Sequence, residues 1–125
     1  MISTIGYGGK KPKEFFQELE SLHPDLVVDV RENPDRAFLG TYTRSGLKKV
    51  LGERYLWIPE LGNKSRSMPP TLVNEEQGFK KLRELLKNQS HIVLLCAEKN
   101  EDRCHRSYIR DKIHFELDGT KLNNV

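Results

Sequence analysis

The sequence predicts an α/β fold, a compact three-layer domain on a mostly parallel sheet of four or five strands. Three observations predict it. Strand-like and helix-like patterns alternate along the chain, as they do where helices cover a parallel sheet. Two apolar runs, Leu26-Val27-Val28 and Ile92-Val93-Leu94-Leu95, lack the alternation of a half-exposed strand and read as strands covered on both faces. A chain of 125 residues is long enough for one real core, so residues 1–125 read as a single domain.

The first strand is MISTIGY, residues 1–7, and Gly8, Gly9 and Pro12 punctuate the turn after it. Phe15, Phe16, Leu19 and Leu22 place one apolar stripe on a helix over 13–22, which Pro24 ends. Residues 25–31 form the second strand, with Asp29 and Arg31 near its carboxyl end. Asn33-Pro34 and Gly40 mark a connection, after which Thr41 or Thr43 caps a short helix through Leu47 and Leu51, stopped by Gly52. RYLWIP, residues 54–59, is a third strand or an extended segment. Residues 60–70 carry no element signal and suit a loop, either an ordinary surface loop or a lid. Phe79, Leu82, Leu85 and Leu86 define a helix over 74–88. The fourth strand is Ile92 to Cys96, and a last helix runs from about Cys104 to Phe115. Residues 116–125 add an edge strand or fray.

Composition narrows the function classes. A net charge of +3 is a mild excess, and no lysine or arginine block marks a nucleic-acid tail. It makes a small anionic ligand or a nucleic acid the reasonable partner. No apolar run reaches transmembrane length, so no membrane partner is expected. No secretory segment precedes the first strand, and the chain reads as cytoplasmic. That location makes free thiols the default for Cys96 and Cys104, with a disulfide between them open if the loop folds back. The sequence leaves the oligomeric state undetermined.

The chemistry-bearing residues cluster at two strand ends. Cys96 closes the fourth strand. It is either plain core or a nucleophile whose thiolate the cations Arg103, His105 and Arg106 favour. Cys104 stands at the first turn of the last helix behind Asp102, a suitable N-cap, where exposed amides favour a thiolate or a bound anion. Alternatively Cys104 packs inward and the arginines bind Glu98 or Asp29. Asp29 and Arg31, two apart on a strand, share a face. Asp29 is then a base or an arginine orienter, Arg31 an anion clamp, and Tyr7 adds a hydroxyl.

Several specific alternatives are disfavoured. The strand-cysteine-loop-arginine-helix order resembles cysteine phosphatases and sulfurtransferases. Here, however, the loop carries Glu98, Glu101 and Asp102, has no glycine, and is too long before Arg103. Dinucleotide and P-loop glycine patterns are absent, so no cofactor is expected. A metal held by Cys96, Cys104 and His105 is disfavoured because neighbouring helical residues point about 100° apart, and no metal is expected.

The combination of Thr4-Ile5-Gly6, Asp29-Val30-Arg31 followed by Pro34, Leu61-Gly62, and Leu95-Cys96-x-Glu98 leading to Cys104-His105-Arg106 resembles domain-of-unknown-function family 488. The resemblance runs from the first strand to about Ile109, and LLCAEKNEDRCHR is its most specific part. It implies importance for Gly6, Asp29, Arg31, Pro34, Gly62, Cys96, Glu98, Cys104, His105 and Arg106, and it implies no reaction. Family members often carry His-Ser where Tyr7-Gly8 stands here, and a serine where Asp35 precedes Arg36.

The resulting expectation is an enzyme acting on a phosphate-bearing nucleotide or nucleic-acid fragment. Its crevice lies at the carboxyl ends of the first, second and fourth strands. Tyr7, Arg31, Arg103, His105 and Arg106 hold the anion, Glu98 or Asp29 serves as acid–base group, and Cys96 or Cys104 is the nucleophile. Non-catalytic binding of nucleotide or nucleic acid, and a structural or redox-responsive module, are the alternatives.

Overall fold

The computed structural model describes residues 1–65, 68–98 and 104–123, the stretch 117–123 as backbone only. Four parallel strands form one sheet in the order β1-β4-β2-β3: β1 is Ile2–Gly6, β2 Leu26–Asp29, β3 Tyr55–Trp57 and β4 Ile92–Cys96. The helices are α1, Pro12–Ser21; α2, Arg44–Leu51; α3, Glu75–Leu86; and α4, His105–Asn123. Short 3-10 turns lie at Gly40–Tyr42, Gly52–Arg54 and Pro59–Leu61. No helix among the described residues is long and apolar enough to cross a membrane.

The three layers follow from the side-chain alternation of a strand. Ile92, Leu94 and Cys96 of β4 point to one face, where Leu26 and Val28 join Phe79 and Leu82 of α3 and Ile109 and Ile113 of α4. Val93 and Leu95 point to the other, where Ile5 and Val27 join Phe15 and Leu19 of α1 and Leu47 and Leu51 of α2. Both central strands, β2 and β4, are buried along their whole length, which is why their sequences are unbroken apolar runs.

The helix boundaries have local causes. Pro12, punctuation in the sequence, opens α1 at its first turn, where a missing amide costs nothing. Thr43 caps α2 by accepting from the Gly46 amide at 3.2 Å, and Asn74 caps α3 by accepting from the Gln77 amide at 3.2 Å. Gly52 ends α2 with a φ of 59°, a conformation that favours glycine. The optional fifth strand does not form among the described residues. Helix α4 runs on to Asn123, so the polar tail extends a helix instead of an edge strand.

β1 and β4 stay in register beyond their formal ends. Gly6 faces Cys96, and the amides of Tyr7 and Gly8 donate to the carbonyls of Cys96 and Ala97 at 3.3 and 2.8 Å. This pairing brings the Glu98 carbonyl onto Gly6, and a Cβ at that position would overlap it. Gly6→Ala must therefore push the 97–98 segment off β1. We expect it to lower unfolding stability by roughly 1–3 kcal/mol, measured by urea denaturation. An unchanged midpoint would contradict the close approach.

Candidate functional site

The site sits where neighbouring strands send their chains to opposite faces. β1 and β2 lead into α1 and α2 on one face, whereas β4, between them, leads into α4 on the other. In an open parallel sheet such a divergence opens a crevice beyond the carboxyl ends of the strands. Here it has a volume of about 450 Å³, and its walls come from Tyr7 after β1, Arg31 to Asn33 and Arg36 after β2, Cys96 to Glu98 at the end of β4, and Cys104 and His105 at the start of α4. Asn63 reaches it from the segment after β3.

One wall rests on a buried ion pair. Asp29 is fully buried. Its carboxylate accepts from the Arg31 Nε at 2.9 Å, the Arg31 Nη2 at 2.6 Å and the Arg31 amide at 3.0 Å. It also accepts from the Tyr55 hydroxyl on β3. Nη1 of Arg31 donates to the Tyr7 hydroxyl at 3.1 Å and to the Tyr42 carbonyl at 2.6 Å. Burial opposes the charge of Arg31, but the hydrogen bonds and charge of Asp29 outweigh it and hold the guanidinium above its ordinary pKa. Burial, reinforced by the Asp29 charge, raises the Tyr55 phenol strongly, so it stays a donor. Asp29 thus lies behind the crevice wall as the orienter of Arg31, while Arg31 and Tyr7 line the cavity.

The other wall is built on sulfur. Cys96 and Cys104 are joined as a disulfide, so the free-thiol expectation gives way. Cys104 precedes the helix, which brings its side chain back over the end of β4. Arg106, buried in the first turn of α4, donates from Nη1 to Cys96 Sγ at 3.1 Å and to the Glu98 carbonyl at 2.6 Å. The expected arginine–Glu98 contact is therefore to the main chain, and Glu98 is an exposed residue lining the crevice.

His105 is buried, and its Nε2 meets the carbonyl of Val30. A carbonyl only accepts, so Nε2 carries the hydrogen and, in the neutral ring, Nδ1 holds the lone pair. Burial, helped by the cation of Arg106, lowers the imidazole pKa against the opposing pull of the Val30 carbonyl. Nδ1 lies 3.7 Å from Cys104 Sγ. The angular separation expected of neighbouring helical residues does not apply, because Cys104 stands outside the helix. The sulfurs of Cys96 and Cys104 and a ring nitrogen of His105 all fall within 4.8 Å of one another, a grouping able to hold a metal ion.

Of the residues singled out in the sequence, Tyr7, Arg31, Cys96, Glu98, Cys104 and His105 meet on the crevice, with Asp29 and Arg106 directly behind its walls. Arg103 and Asp102, the expected N-cap, lie outside the described residues. Glu32, Asn33 and Asn63 are lining residues that the sequence reading did not select. Glu32 and Asn33 directly follow Arg31, a position at the strand's carboxyl end that could have marked them. Asn63 had no such signal. Elsewhere on the surface, Lys10 pairs with Glu18 at 2.6 Å and Arg44 with Asp35 at 3.2 Å.

Compared with known proteins, the chain matches the family described as Domain of unknown function DUF488 over residues 11–72 and 70–113. No curated protein and no solved structure matches it.

Removing the charge of Asp29 would leave Arg31 buried without its counter-ion. We expect Asp29→Asn to cost about 3–5 kcal/mol of stability and Tyr55→Phe about 1 kcal/mol. Both are read by chemical denaturation, and equal small losses would contradict the hierarchy.

Proposed function

The chain belongs to the DUF488 family, and on that premise we propose that it is an enzyme acting on a phosphate-bearing nucleotide or nucleic-acid fragment bound in the crevice. The carrying observation is the crevice itself, opened at the strand divergence and lined by cationic, carboxylate and amide side chains together. A nucleotide presents an anion and a hydrogen-bonding base or sugar, and the lining has groups for each. Arg36 is exposed on the rim, and no ion pair holds it among the described residues. It takes the phosphate, with the edge of Arg31 and the start of α4 adding donors. Arg103, in the segment between β4 and α4, belongs to the same anion set by its place in the sequence. Asn33 and Asn63 suit a sugar or base edge. Glu98 is the acid–base group. The cysteines act in their reduced form, in which the Arg106 hydrogen bond to Cys96 favours a thiolate. Hydrolysis or transfer at a nucleoside or phosphoryl centre fits this set.

A redox-responsive module is the second reading, favoured by one observation, the Cys96–Cys104 disulfide. The two readings diverge in whether the crevice is used.

The test is isothermal titration of the reduced protein with nucleoside monophosphates, short oligonucleotides and the matching nucleosides. A phosphate-dependent complex is expected, weakened roughly tenfold or more by Arg36→Ala, the loss of one charge-assisted contact. Equal affinity of Arg36→Ala and the parent protein would remove the anion role of Arg36. Binding that ignores the phosphate would remove the substrate class.

A further inference from the structure

We propose that the reduced protein binds one thiophilic transition-metal ion, of which Zn²⁺ is the natural choice, through Cys96 Sγ, Cys104 Sγ and His105 Nδ1, with the fourth position open to the crevice. The three side chains are buried, and their ligand atoms lie within 4.8 Å of one another. Two thiolates and an imidazole select Zn²⁺ over Mg²⁺ or Ca²⁺, which take oxygen ligands. Three protein ligands and an open position describe a catalytic rather than a structural zinc site.

The surroundings carry the features that support metal ligands. A ligating histidine donates its other ring N–H to a carbonyl or carboxylate, which fixes its tautomer and orientation. His105 does so through Nε2 to Val30. Thiolates need compensation for their charge, and Arg106 donates to Cys96 Sγ at 3.1 Å. The Cα atoms of Cys96 and Cys104 are 7.5 Å apart, which leaves room for an ion at about 2.3 Å from each sulfur. Cys96, Cys104 and His105 all border the crevice, and so does Glu98.

The assignment gives the cysteines a role as ligands, in place of the nucleophile expected of either. A metal in the site would hold a water in the fourth position for attack on a bound phosphate ester: the water oxygen would form the new P–O bond, Glu98 would take its proton, and the ester P–O bond would break to release the alcohol, to which Glu98 would return that proton. This last step rests on the reading of the crevice as an enzyme site. The metal site itself does not, because its occupancy is measured without substrate. The disulfide form has no thiolate to offer, so the site exists only after reduction. A water-soluble phosphine supplies that: the disulfide takes two electrons and two protons to give two thiols, and the phosphine becomes its oxide with the oxygen of one water.

The experiment is a Co²⁺ titration of the full chain, reduced with phosphine under argon and compared with the oxidised chain. The expected result is one Co²⁺ per chain in the reduced protein alone, with thiolate-to-cobalt charge transfer and the visible bands of a tetrahedral ion, both abolished by Zn²⁺. Cys96→Ser is expected to lose the complex, and His105→Ala to weaken it at least tenfold. The oxidised–reduced comparison needs no variant and decides the matter should a substitution prevent folding. A reduced protein with native circular dichroism and no cobalt complex at micromolar concentration overturns the proposal. So does the same spectrum from the oxidised chain, or binding only by a chain that has lost its helical signal. Nucleotide binding with no cobalt complex would reject the metal site and leave the anion crevice standing. A cobalt complex without nucleotide binding would do the reverse.

Discussion

The buried Asp29–Arg31 pair fixes the architecture around the crevice. A lone charge at either position would be strongly disfavoured in the interior. Each is instead enclosed by hydrogen bonds that come from different parts of the chain: the Tyr7 hydroxyl after β1, the Tyr42 carbonyl ahead of α2, and the Tyr55 hydroxyl on β3. The pair therefore does more than neutralise itself. It ties the end of β2 to its neighbours, so the wall that carries Arg31 holds one shape. Trp57 extends the tie by donating its indole N–H to the Arg31 carbonyl at 2.9 Å. Buried ion pairs add little net stability over apolar packing. What this one contributes is position.

Across the crevice the constraint is different. β4 ends in Cys96, whose neighbours in the sheet turn to the opposite face, and the chain returns over the strand end with Cys104 just ahead of α4 and His105 and Arg106 in the first turn of that helix. His105 anchors this return to Val30, on the far side of the crevice floor, and Arg106 anchors it to the main chain at Glu98. The two walls are thus joined beneath the cavity through Val30, which directly precedes Arg31. An ordered floor with exposed Arg36 and Glu98 on its rim is the arrangement expected of a working site: rigid supports below and accessible chemistry above.

Much of this was legible in the sequence. The unbroken apolar runs at 26–28 and 92–95 give covered strands, strand–helix alternation gives the parallel sheet, and the start of α2 is narrowed to Thr41 or Thr43 and that of α3 to Asn74. The carboxyl-end position of Asp29, Arg31, Cys96 and Glu98 marks the crevice, because strand ends are where open sheets bind ligands. What the sequence left open depends on long-range geometry. Nothing local tells that Tyr55 completes the Asp29 shell or that Asn63 reaches the cavity, since both arrive from β3 and beyond. The closeness of Cys104 and His105 ligand atoms turned on where the helix starts, and helix ends are the least certain boundaries. The polar tail offered no apolar stripe to mark the continuation of α4.

The central claim is that the ends of β1, β2 and β4 and the start of α4 form one working site. A crystal structure of the reduced protein grown with a nucleoside monophosphate tests it most directly. The account predicts the nucleotide in the crevice, its phosphate beside Arg36 and the rest of the molecule over Cys96 and Glu98. A nucleotide bound elsewhere on the surface, with the crevice filled by its own side chains, would contradict it.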